Sequence, residues 1–136
     1  MKPVFVDTAH WIAVFDRKDN LHERAVEEQG RLEKDHRFVT MDFVLAEFLN
    51  AFVRGGPTIR GAACTTVNEI LGNPNCLVVP ASRDYFQRGV KLYGERRDKD
   101  YSLVDCVSIL VMKDQAIAEV LSPDACFRQE GFTTLL

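Results

Sequence analysis

No glycine-rich phosphate loop and no GxGxxG stretch occurs among the 136 residues, which removes the two commonest backbone cradles for nucleotide phosphates. The four cysteines, Cys64, Cys76, Cys106 and Cys126, include no CxxC pair. Zinc ribbons and dithiol redox motifs therefore find no footing, and the cysteines read as small hydrophobes, three of them in buried-looking runs. Long apolar runs are missing too. The two longest, Phe43–Val53 and Ser102–Met112, are interrupted by Glu47 and Asp105, too short and too charged for a bilayer span. Asp7 and His10 break up the first fifteen residues, so no secretory signal pattern is present and a soluble, cytoplasmic protein is expected. An excess of one charge is also absent. At a net charge of −3 the chain does not look built to grip a duplex by charge alone. There is no linker, repeat or low-complexity segment.

What is present is ordinary globular material, 46% apolar and 27% charged, enough to bury a core within one domain spanning residues 1–136. Val4-Phe5-Val6 reads as a buried parallel strand ending at Asp7. A short helix is expected over Thr8–Phe15, then one over Leu21–Lys34 capped by Asn20. A strand over Arg37–Thr40 follows, with Thr40 as the cap of an apolar helix over Met41–Val53. Gly55-Gly56-Pro57 breaks that helix, and Pro57 suits the first turn of another over Thr58–Leu71. Cys76–Val79 is a third strand, and Ser82 or Asp84 opens a helix to Tyr93. A charged loop, Gly94–Asp100, precedes an apolar helix over Ser102–Lys113. Ile117–Leu121 reads as a fourth strand, Pro123 starts a short helix, and Phe132–Leu135 reads as a fifth strand. Strands alternating with helices indicate an α/β domain: a central, mostly parallel sheet of about five strands between helical layers.

Four acids stand out by position. Asp7 ends the first strand, Asp124 follows the fourth, Asp105 sits in the first turn of its helix, and Glu47 interrupts an apolar helix. Parallel sheets bind ligands beyond the carboxyl ends of their strands, where these acids can converge. Clustered carboxylates repel one another and call for a compensating cation. Magnesium, or manganese, is the hard oxygen-seeking ion that fits, and it can activate water against a phosphate. Each acid also has an ordinary explanation when taken singly. Asp7 can cap a turn, and Glu47 can pair with an arginine. Asp105 can complete a capping box with Ser102, and Asp124 can face a helix dipole.

Order and context add to this. Val6-Asp7-Thr8, Leu45-Ala46-Glu47-Phe48, Tyr101-Ser102-Leu103-Val104-Asp105-Cys106 and Leu121-Ser122-Pro123-Asp124-Ala125-Cys126-Phe127 together resemble the PIN-domain family, particularly its VapC-type toxins. The stretch Phe127-Arg128-Gln129-Glu130-Gly131-Phe132 is similar to the family's Phe-x-x-x-Gly-Phe ending. The resemblance covers residues 4 to about 134. It departs at Ser122-Pro123-Asp124, where a Thr-x-Asp pattern is common. By this resemblance Asp7, Glu47, Asp105 and Asp124 are the catalytic, metal-binding centre, with Asp100 and Ser102 accessory. Asp7, Asp105 and Asp124 are the main ligands, and Glu47 serves an outer position or orients the attacking water. The implied activity is magnesium-dependent endoribonuclease action by metal-activated water, leaving a 5′-phosphate and a 3′-hydroxyl. A cognate antitoxin and a homodimer, formed through the Met41–Leu71 helices, are implied partners.

On the substrate side, Arg96, Arg97 and Lys99 are candidates for holding RNA, beside the plain alternative of a solvated loop balanced by Glu95, Asp98 and Asp100. Arg54 and Arg60 are a second basic pair. Tyr93, Tyr101 and Phe86 can stack on bases, with core packing expected for at least two of them. His10, His22 and His36 are not needed as a general base. Two other classes compete. A PIN-like module that binds RNA or protein without cutting has no need of four concentrated acids. A receiver-type phosphotransfer domain wants paired acids at strand one and a lysine after a late strand, whereas here Thr8-Ala9-His10 and Ser122-Pro123-Asp124 stand.

Overall fold

A computed structural model describes residues 1–136. Five strands, β1 (Lys2–Val6), β2 (His36–Met41), β3 (Cys76–Val79), β4 (Glu119–Leu121) and β5 (Thr133–Thr134), form one sheet in the order β3-β2-β1-β4-β5. Every pairing is parallel, so the expected mostly parallel sheet is wholly so. Seven helices flank it: α1 (Thr8–Phe15), α2 (His22–Leu32), α3 (Asp42–Ala51), α4 (Gly56–Gly72), α5 (Arg83–Glu95), α6 (Leu103–Asp114) and α7 (Ala125–Gln129).

The chain lays β1, β2 and β3 outward in one direction, then crosses back to place β4 on the other side of β1. Right-handed crossovers therefore put α1–α4 on one face and α5–α7 on the other. Packing agrees, with α1 against α2 and α3, α3 against α4, and α5 against α6. The reversal between β1 and β4 is the topological switch point, where an open parallel sheet leaves a crevice at its carboxyl edge. Between the layers lie Phe5, Val39, Phe48, Ile109 and Phe127, all fully buried. Phe15, Phe48 and Phe52 meet with ring centroids 4.8 to 5.5 Å apart, in tilted or edge-on contacts.

Local chemistry sets the boundaries, and several differ from expectation. Thr40 does not cap α3. Strand β2 continues through Met41, and the Thr40 hydroxyl donates to the Val6 carbonyl at 3.0 Å while accepting from the Trp11 indole at 3.3 Å. A buried hydroxyl between a carbonyl and an indole N–H is better satisfied there than at a helix end. Asn20 does not cap α2 either. The N-cap position falls on Leu21, whose N–H is taken by Asp19 Oδ1 at 2.9 Å. Pro57 does sit in the first turn of α4, and Ser82 caps α5.

Strand β4 starts at Glu119 rather than Ile117 because the preceding residues close α6. Ile117 N–H bonds back to Met112 at 2.8 Å and Ala116 N–H to Lys113 at 3.2 Å, with Ala116 left-handed at φ 54°. This is a Schellman cap in which alanine occupies the place usually held by glycine. The end of α7 repeats the motif with the usual residue. Phe132 N–H reaches Phe127 at 2.9 Å, Gly131 N–H reaches Arg128 at 3.1 Å, and Gly131 lies at φ 92°. The Phe-x-x-x-Gly-Phe ending is thus a helix stop that returns the chain to β5.

Candidate metal centre

Each acid reaches the switch point for a local reason. Asp7 is the first residue beyond β1, and its N–H bonds the Leu121 carbonyl of neighbouring β4 at 3.3 Å. Asp7 occupies the N-cap position of α1 but makes no side-chain cap bond. Its Oδ2 instead accepts from Ser122 Oγ at 2.9 Å, and Ser122 Oγ accepts the Asp124 N–H at 3.1 Å. One fully buried hydroxyl therefore ties the ends of β1 and β4 together. The Ser-for-Thr departure keeps this link.

Asp105 sits at the third position of α6, which runs back toward β4 and so begins at the carboxyl edge of the sheet. Ser102 Oγ accepts the Asp105 N–H and Asp105 Oδ2 accepts the Ser102 N–H, each at 3.0 Å. The capping box is complete despite the short acid. It engages one carboxylate oxygen and leaves the other for a second partner. Asp124, at the N-cap position of α7, is solvent-exposed.

Asp7, Asp105 and Asp124 each offer a carboxylate oxygen, and the three lie within 4.8 Å of one another. None of them takes part in an ion pair. Asp7 is only 3% exposed. Burial, opposed by hydrogen bonds from Thr8 and Ser122 and reinforced by the charges of Asp124 and Asp105, pushes its carboxyl up to about 7. Burial also raises Asp105, with Asp124 adding to it. The Cys126 thiol is driven up by burial and by the three carboxylates around it. Three converging acids with no basic partner, one of them buried, form an all-oxygen donor set suited to a hard divalent ion.

Glu47 is not in this group. It is half-buried on α3 and forms no ion pair, so the expected alternative of an arginine partner is not what holds it. A cavity of about 520 Å³ opens over Asp105 and Asp124, and Asp98, Lys99, Asp100 and Tyr101 also line it. Asp100 thus joins the site's rim, and Ser102 serves as the cap of α6.

The three candidate cations of the charged loop divide. Arg96 Nε and Nη2 donate to the two oxygens of Glu130, both at 3.2 Å. Tyr101 Oη lies 3.1 Å from Glu130 Oε2, and Lys113 approaches the same carboxylate at 3.8 Å. The Arg96 guanidinium, followed by Tyr101, holds Glu130 below the usual carboxylate range. Burial, then Glu130, pushes Tyr101 up to about 12. Arg97 and Lys99 form no ion pair and remain exposed. Sequence reasoning did not find the Arg96–Glu130–Tyr101 cluster, because partners 34 residues apart carry no local signal.

Only Tyr101 of the three stacking candidates is buried. Phe86 and Tyr93 are 39% and 55% exposed, against the expectation that at least two would pack in the core. The histidines are engaged elsewhere: His10 with Gln29, His22 with the Ala13 carbonyl, His36 with Asp35 and Glu119. Arg60 donates to the Val53 carbonyl at 3.0 Å and joins the α3–α4 turn.

A family model described as PIN domain matches residues 4–131. No curated protein matches the sequence. Among solved structures, Mycobacterium tuberculosis VapC20, described as a Sarcin-Ricin loop cleaving toxin, is similar with a TM-score of 0.83 and 23% identity, over 96% of both chains. FitAcB from Neisseria gonorrhoeae is similar with a TM-score of 0.65 and 15% identity, over 98% of this chain and 96% of that one.

Proposed function

The chain belongs to the PIN-domain family, and from that premise we propose that it is a magnesium-dependent endoribonuclease, the toxin of a VapBC-type pair. The observation that carries this reading is the meeting of Asp7, Asp105 and Asp124 within 4.8 Å at the switch point, none of them ion-paired to a basic side chain. Magnesium, or manganese, would be held by these three. When bound it offsets their charge, activates water and stabilises the charge that develops on a scissile phosphate. The structural likeness to a toxin described as cleaving the Sarcin-Ricin loop supports RNA as the substrate class.

The chain's own groups have distinct tasks. Ser122 restrains the Asp7 carboxylate by donating to Oδ2, in an orientation that would serve a bound ion. Ser102 fixes Asp105 in the same way through its backbone N–H. Asp124, the exposed member, faces the side from which substrate arrives. Glu47 either completes the outer coordination shell or orients the attacking water, and Asp100 supports the rim. Water attacks phosphorus, the bond to the 3′ oxygen breaks, and that oxygen leaves as a hydroxyl while the phosphate stays on the 5′ side.

Exposed Leu49, Val53 and Ile59 on α3, α4 and the turn between them support association of a second copy through this region. A cognate antitoxin completes the proposed assembly. The deciding experiment compares cleavage of a labelled small-RNA pool by wild type and Asp7→Asn, each with magnesium and with EDTA. Cleavage only by metal-loaded wild type is expected. A folded, inhibitor-free wild type that leaves the pool intact would move the assignment to a PIN-like module that binds without cutting.

A further inference from the structure

A second cavity, of about 560 Å³, lies beside the acidic one and is lined by Tyr93, Gly94, Arg96, Arg97, Lys99, Asp100 and Tyr101. The two cavities share Lys99, Asp100 and Tyr101 as a common wall. We propose that this second cavity is the subsite for the nucleotide next to the scissile phosphate, with Tyr93 stacking on its base and Arg97 and Lys99 holding its backbone. The inference rests on the nuclease reading for its orientation, since it places the scissile phosphate over Asp105 and Asp124.

Three observations converge on this occupant. The first is charge. Arg96 is neutralised by Glu130, so it is a strut of the cavity and not an RNA contact, while Arg97 and Lys99 have no protein partner. Two unpaired cations, with Lys99 lining both cavities, give an attraction for a polyanion beside the three-carboxylate centre.

The second is the aromatic. Tyr93, in the last turn of α5, is 55% exposed although it is large and mostly apolar, whereas Tyr101, on the shared wall, is buried and bonded to Glu130. An exposed ring beside free cations is the usual platform for a single-stranded base. The third is rigidity. Arg96, Tyr101 and Glu130 tie the loop to α7, the helix that starts immediately after Asp124. The subsite and the metal ligand therefore sit on one braced unit, which fixes the spacing between base and scissile bond. Arg96 is accordingly a positioning residue.

The test is equilibrium binding of a fluorescein-labelled single-stranded oligouridylate with phosphorothioate linkages, measured by anisotropy in magnesium. Tyr93→Ala weakens binding by about tenfold, and Tyr93→Phe, which keeps the ring, restores it. Arg97→Ala and Lys99→Ala each lower the slope of log affinity against log salt by about 0.7. Arg24→Ala, which removes an exposed cation on α2, leaves the slope unchanged. The magnesium-induced rise in Tm reports the acidic centre separately and persists in all five variants.

Equal affinity of Tyr93→Ala and wild type, or salt slopes no different from that of Arg24→Ala, overturns the subsite while leaving the nuclease reading in place. Failure of wild type to bind the oligouridylate overturns it as well. Binding with the expected variant effects, in a protein that cuts no RNA, upholds the subsite and refutes the nuclease instead.

Discussion

Replacing Asp7 by Asn should make the metal-free protein more stable, and increasingly so as pH rises. Asp7 is 3% exposed, and the nearest charges are the carboxylates of Asp105 and Asp124. Its carboxyl is raised from 3.8 to about 7 by burial first and by those charges last. Between these values the folded chain holds a proton that the unfolded chain has released. Stability therefore falls as pH rises through this window, and the loss is complete above the folded value. The full interval corresponds to about 4 kcal/mol. Asn keeps the shape, still accepts from Ser122 and carries no charge to bury.

The assay is thermal unfolding in EDTA at about pH 5 and about pH 8. The gain from Asp7→Asn should grow by about 3 kcal/mol between the two, on the order of 10 °C in Tm for a chain of this size. Adding magnesium at about pH 8 should stabilise wild type and not the variant, because an ion that binds only the folded state stabilises by mass action. The two melting curves then converge or cross. A gain of the same size at both pH values, or a variant less stable than wild type in EDTA at about pH 8, would refute burial of an uncompensated carboxylate as the origin of the effect.

Other outcomes follow from single contacts. Ser122→Ala removes the hydroxyl that orients Asp7, and magnesium affinity read by Tm shift should fall by about tenfold. Glu47→Gln should lower RNA cleavage by about a hundredfold in single-turnover assays while keeping the magnesium-induced Tm shift; loss of that shift would make Glu47 a direct ligand. A Cβ at Gly89 would come within 2.6 Å of Val107 Cγ2 and 3.2 Å of Leu103 Cδ1. Gly89→Ala should therefore destabilise by about 1–3 kcal/mol in urea unfolding, with partial rescue by Val107→Ala. Ala116→Gly relieves the left-handed φ of 54° and should stabilise by about 1 kcal/mol; a loss of stability would show that the alanine is not strained there.

The alternation of strands and helices was legible because it is written in runs of apolar residues and in punctuation such as Gly55-Gly56-Pro57. Boundaries failed where a side chain found a better partner than the local one. Thr40 illustrates this, since neither the Val6 carbonyl nor the Trp11 indole is visible from its sequence neighbours. Three of the four acids, Asp7, Asp105 and Asp124, were legible by resemblance and by their placement at element ends, whereas Glu47, in the middle of α3, does not join them. Nothing local in the sequence distinguishes Arg96 from Arg97, yet the first is clamped by Glu130 across the fold and the second is free. Charge counts in a loop report how many cations exist, and only tertiary contacts decide which of them a ligand can use.

Asp105 shows why ordinary and functional readings of one residue need not compete. Taken alone, its capping box with Ser102 accounts fully for an acid at the third position of a helix. That same box holds Asp105 Oδ2 on the Ser102 N–H and thereby fixes the torsion that directs the remaining oxygen. Asp7 repeats the pattern with a different donor, its Oδ2 being held by Ser122. In both, a serine beside the acid, through its hydroxyl or its N–H, bonds one carboxylate oxygen and restrains the carboxylate. A cap at such a position restrains the rotamer before any ion arrives, so binding has less side-chain freedom to remove. At Asp105, helix capping and carboxylate orientation are then a single structural solution.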